Sequence, residues 1–91
     1  MIKDVKVGII VAAWQALEYK KKKPGSDIDE IMQHVTMNVE ANDEAKKGVI
    51  VGVSRAMKYR DKNPKLKDKE IMQRVMNDIN EIVRNIREEE Y

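Results

Sequence analysis

Two tyrosines sit at matched places beside runs of cations, and these are the residues whose chemistry points outward. Tyr19 precedes four consecutive lysines, Lys20, Lys21, Lys22 and Lys23. Tyr59 lies in a second basic segment with Lys58, Arg60, Lys62, Lys65, Lys67 and Lys69, opposed there only by Asp61 and Asp68. Together the two segments carry +8, while the whole chain carries +2. Ammonium and guanidinium groups neutralise phosphates, and a tyrosine ring beside them can stack on an unpaired base. Such a charge excess suits nucleic acid or an acidic protein partner. The plainer alternative is that the lysines solvate turns and complement helix C-termini, while each tyrosine packs its ring on a neighbouring helix and leaves its hydroxyl in water. No signature of a known DNA- or RNA-binding module accompanies the basic segments.

Other chemistry is sparse. The chain has no cysteine and one histidine, so a zinc site of the usual kind cannot be assembled. His34 lies beside an apolar stripe and reads as an exposed basic position, since Arg74 stands at the matched place. There is no Ser–His–Asp set, no pair of carboxylates in an apolar setting and no phosphate loop. The sequence therefore points away from an enzyme and offers no catalytic, metal or cofactor residue.

What positions the basic segments is an internal repeat. Residues 6–39, shifted by 40, meet the same residue type at 13 of 34 positions, where chance gives about two. The matches include Gly8 with Gly48, Tyr19 with Tyr59, Pro24 with Pro64 and Ile31 with Ile71. The chain reads as one domain over residues 1–91: repeat one over about 3–41, repeat two over about 43–81, and a helical extension over 82–91. Each repeat reads as a helical hairpin broken at Pro24-Gly25 or Asn63-Pro64. Helices are expected near 3–22, 27–41, 43–62 and 67–88, making an all-α four-helix bundle with the last helix extended. Asp27 with Glu30 resembles a capping box, and Leu66 with Ile71 has the spacing of a hydrophobic staple. Two alternatives stay open. The β-branched runs at Val7–Val11 and Val49–Val53 suit buried strands. Fusion of the second and third helices into one is the other alternative, because no Gly or Pro lies between Gly25 and Gly48.

In an up-down-up-down bundle the first and third turns share one end, so both basic segments form one pole. The opposite pole is then expected to hold Glu40, Asp43, Glu44 and the tail Glu88-Glu89-Glu90.

Small residues recur every four positions on both first helices, at Gly8, Ala12 and Ala16 and at Gly48, Gly52 and Ala56. Glycine inside a helix costs about 1 kcal/mol against alanine. Close approach of two helix backbones explains that cost, so helices one and three are expected to cross along these stripes. The same stripe is also of the kind that admits a ligand or partner helix.

The rest of helix one is apolar too. Only Gln15 is polar between Val7 and Leu17, and Trp14 stands where repeat two has Ser54. Trp14 either fills the core or belongs to a self-association surface. Three neighbours in a small bundle cannot surround such a helix, and the stripe Ile79, Ile82, Val83, Ile86 runs past the repeat. Both point to a homodimer. Ninety-one residues suffice for one modest core, and the longest apolar run is far short of a membrane span. With no leader-like start, a cytoplasmic protein is expected. The function expected is a small non-catalytic helical interaction module that self-associates and binds a partner macromolecule. The alternative is a nucleic-acid-binding protein using the basic pole.

Overall fold

The computed structural model describes residues 1–88, so Glu89, Glu90 and Tyr91, the end of the expected acidic tail, lie outside the described residues. Four helices follow in order: α1 (Val5–Lys22), α2 (Ile28–Asn38), α3 (Asp43–Lys62) and α4 (Asp68–Glu88). The chain is all-α. The β-branched runs are helical, and α2 and α3 are separate. Local chemistry sets the starts. Asp4 caps α1 by accepting from the N–H groups of Lys6 (2.7 Å) and Val7 (3.3 Å). Asp27 accepts from Glu30 N–H at 2.8 Å, and Asn42 from Ala45 N–H at 2.9 Å. Each cap satisfies a donor that the first helical turn leaves unpaired.

The one notable boundary difference is at the end of α2, which stops at Asn38 rather than near 41. Residues 39–42 turn extended instead, and Ile2 pairs with Ala41. Ile2 N–H donates to Glu40 O at 2.8 Å, and Asn42 N–H donates to Ile2 O at 2.9 Å. This clasp ties the N-terminus to the α2–α3 junction and prevents the two helices from fusing.

The helices α1 and α3 run side by side in the same direction. Gly8 lies against Ala45 and Val49, Gly48 against Val5 and Ile9, and Gly52 against Ile9. The small residues Gly8, Ala12, Ala16, Gly48, Gly52 and Ala56 are all buried. Both α2 and α4 pack on this central pair, and they do not touch each other. They therefore occupy the two opposite grooves that flank it. In cross-section the bundle is a rhombus whose short diagonal is the α1–α3 contact. Each of the two broad faces has α1 or α3 along its middle.

The core consists of Ile9, Ala13, Leu17, Ile31, Val35, Val49, Val53, Ile71, Val75 and Ile82 with their smaller neighbours. Val83 and Ile86 are also buried. The expectation that this overhang needs a second chain is thus corrected: α4 runs back along α1, and the overhang is covered within the monomer. Most of α1 is covered as well, because Gly and Ala on the seam let α3 approach closely.

Candidate docking face and basic pole

Both inter-helix turns lie at the same end of the bundle. A cleft of about 580 Å³ there is lined by Leu17, Lys20, Lys21 and Pro24 from the first hairpin and by Arg60, Pro64, Leu66 and Lys67 from the second. The geometry nevertheless changes the meaning of several basic residues. Lys20 Nζ donates to Ser26 O at 2.7 Å. Arg60, at the matched position, donates to Leu66 O at 2.6 Å and Pro64 O at 3.2 Å, and pairs with Asp68 at 2.5 Å. Each is a cation on the last helical turn that closes its own hairpin by satisfying carbonyls, so part of each head group's hydrogen-bonding capacity is already used. Lys21, Lys22, Lys23, Lys58, Lys62, Lys65, Lys67 and Lys69 are exposed.

The topology that gathers the turns also gathers the starts of α2 and α4. Asp27, Asp29 and Glu30 of α2, Asp68 and Glu70 of α4, and Glu18 and Asp61 stand among the ten basic residues. With those seven carboxylates counted, the pole carries +3 rather than the +8 of the two segments. The opposite pole is mixed as well. Glu40, Asp43, Glu44 and Glu88 alternate there with Lys3, Lys6, Lys46, Arg84 and Arg87. The expected division into basic and acidic poles is weaker than the sequence suggests, because acids favour helix N-termini and so follow each basic turn.

Both tyrosine hydroxyls bond a carboxylate of the neighbouring helix, where the plainer expectation gives them to water alone. Tyr19 OH donates to Glu30 Oε2 at 2.6 Å, joining α1 to α2. Tyr59 OH donates to Asp78 Oδ2, joining α3 to α4, and Arg55 pairs with the same carboxylate at 3.1 Å. These carboxylates stabilise the protonated phenols, so both pKa values are raised above 10.0, with burial adding to the effect. The ring faces are occupied too. His34 stacks on Tyr19 with centroids 4.3 Å apart, and Lys23 lies 5.4 Å from the same ring. Arg74 lies 5.9 Å from the Tyr59 ring. His34 is half-buried in this stack rather than an exposed basic position. Residues 34 and 74 do the same work at matched positions, a signal present in the sequence as two flat basic groups repeated opposite two tyrosines.

The apolar surface lies elsewhere, along the outer edge of α1. Val7 is 45% exposed and Trp14 43% exposed, with Ile10 and Val11 half-buried between them. Trp14 is therefore not a core residue. Beside this ridge, Met76 of α4 is 48% exposed. It shares the flank of α4 that carries Met72 and Val83, and Val83 lines a cleft with Lys6 of α1. Val7, Ile10, Val11, Trp14 and Met76 thus belong to one broad face with α1 along its middle. The equivalent ridge of α3 is Lys47, Ile50, Val51 and Ser54, interrupted by polar groups where α1 has valine and tryptophan.

Among the described residues, no group of three or more His, Asp or Glu is placed to hold a metal ion. No helix among them is long and apolar enough to cross a membrane. No family model, curated protein or solved structure matches the chain.

Proposed function

We propose that this chain is a small, non-catalytic helical interaction module that binds other proteins, copies of itself included, through the α1 face. The observation that carries the proposal is Trp14, exposed on an uninterrupted apolar ridge with Val7, Ile10 and Val11. Tryptophan left half in water is costly in a monomer, and it is the residue type most enriched at the centres of interfaces. Exposed Trp14 surface amounts to roughly 100 Å², and the ridge to roughly 250 Å². Burying that area from two such faces gives on the order of 12 kcal/mol, against an association cost of about 4–15 kcal/mol. The complex is accordingly micromolar at its tightest, as suits a transient contact.

Nucleic-acid binding is the second reading, favoured by the shared end of the two basic turns. The seven carboxylates at that end and the occupied tyrosine rings weigh against it. Immobilised protein exposed to lysate separates the two. Under the proposal, protein partners are retained after nuclease treatment and lost with Trp14→Glu. Under the second reading, nuclease removes them and Trp14→Glu does not. Circular dichroism of the variant confirms that its helices persist.

A further inference from the structure

The docking face has a register of its own. Asp4, Val7, Val11, Trp14, Glu18 and Lys21 recur at alternating steps of three and four. That spacing draws a single seam along a helix that packs lengthwise on another. It is separate from the seam that faces α3, where Val5, Gly8, Ala12 and Ala16 are buried. Every residue of the outer seam except half-buried Val11 is exposed.

We propose that the occupant of this seam is a second copy of the chain, with α1 lying antiparallel on the partner's α1; the inference rests on the α1 face being a docking surface. Charge order along the seam selects the direction. Asp4 stands at one end, Lys21 at the other, and the apolar residues lie between. A parallel partner sets Asp4 against Asp4 and Lys21 against Lys21. An antiparallel partner sets each against its opposite, with Val11 against Trp14 at the centre and Val7 against the stem of Glu18. The two charged ends are available for this. Asp4 uses Oδ1 for its cap, leaving Oδ2, and Lys21 is exposed. One self-complementary patch then closes a twofold dimer without leaving a surface for further copies. The matched line on α3 reads Glu44, Lys47, Val51, Ser54, Lys58 and Asp61, in which Val51 is the one apolar residue and an antiparallel partner sets Glu44 against Asp61 and Lys47 against Lys58. Only one of the two broad faces therefore suits this pairing.

The test uses the full chain across micromolar concentrations, in sedimentation equilibrium and with a spin label at Lys22→Cys. The chain has no native cysteine, so labelling is confined to that site. Lys22 is exposed and off the seam. Antiparallel pairing centred between Val11 and Trp14 separates the two labels by 19 residues of helix, about 28 Å at 1.5 Å per residue. Parallel pairing brings them within about 15 Å. The expected result is a dimer with the longer distance, weakened at least tenfold by Trp14→Glu and less by Lys21→Glu. A monomer at every concentration, or a dimer with the short distance, overturns the proposal. In either case, nuclease-insensitive capture of another protein that still depends on Trp14 leaves the docking surface standing. A dimer indifferent to Trp14→Glu overturns both.

Discussion

Gly52→Ala sets two physical effects against each other and so tests the central contact. Helix propensity alone makes alanine better than glycine inside α3 by about 1 kcal/mol. The seam makes it worse. A Cβ at position 52 would lie 2.5 Å from Ile9 O, 3.0 Å from Ile9 Cα and 3.1 Å from Ile9 C. All three are backbone atoms of α1, so no rotamer change relieves the clash. The helices must move apart by something under 1 Å to restore ordinary contact. Gaps of that size forfeit a quarter to a half of each dispersion contact along the seam, and overpacking of this kind costs about 1–3 kcal/mol or somewhat more. With the propensity gain subtracted, the variant is expected to lose up to about 2 kcal/mol of stability. For a domain of this size that lowers Tm by up to about 10 °C. Gly25→Ala is the control. A Cβ there meets nothing within 4 Å, and the residue does not have a positive φ. It is expected to be neutral or stabilising by up to about 1 kcal/mol. Urea unfolding followed by circular dichroism measures both. A Gly52→Ala variant more stable than the parent would refute the close seam and leave three interior glycines without an explanation.

Further expectations follow from the clasps between helices. Tyr59→Phe removes the donor to Asp78 and is expected to cost about 1 kcal/mol in thermal or chemical unfolding. Because the phenols of Tyr19 and Tyr59 ionise at higher pH in the folded chain than in the unfolded one, their stabilisation is full below pH 10 and falls as pH rises beyond it. Tyr59→Phe should make that alkaline decline shallower, and an equally steep decline would mean that the hydroxyl contact contributes nothing. Arg60→Met leaves the carbonyls of Pro64 and Leu66 and the Asp68 carboxylate without their donor, and should destabilise by about 2 kcal/mol. Loss of under about 0.5 kcal/mol in denaturant unfolding would return Arg60 to the set of free cations. Reversing Lys22, Lys62 and Lys65 to glutamate, all exposed, should leave Tm within a few degrees. A collapse of the fold would show that these charges hold the turns.

Much of the fold was legible because it is written in backbone chemistry. Glycines four apart have few uses in a helix, and the close α1–α3 contact is one of them. Pro24 and Pro64 stop helices wherever they stand, and Asn42 announces the start of α3. The fate of α1 was less legible. Its apolar run from Val7 to Leu17 suggests a helix too greasy for one bundle, yet small side chains let α3 approach so closely that only one edge stays uncovered. Sequence pattern counts apolar residues around a helix but does not reveal how near the neighbouring axis comes.

The tyrosines show a different limit, because matched residues reach unmatched partners. Tyr19 donates to Glu30, and Glu70 is the residue matched to Glu30, but Tyr59 donates to Asp78 instead. The two hairpins also differ at the start of the following helix. In the first hairpin the Asp27 side chain accepts from Glu30 N–H, and the Glu30 carboxylate accepts from Tyr19. In the second hairpin the matched residue is Lys67, which has no side-chain acceptor, and Glu70 N–H donates to Lys67 O at 3.0 Å instead. The Glu70 carboxylate turns back on its own helix and accepts from Lys67 N–H at 3.3 Å. Tyr59 donates to the next carboxylate along α4, Asp78, at a position where the first hairpin has Asn38. Repeat logic assigns the same role to Glu30 and Glu70, yet one carboxylate joins two helices and the other closes the first turn of its own, because a glutamate at the third position of a helix has two competing donors within reach.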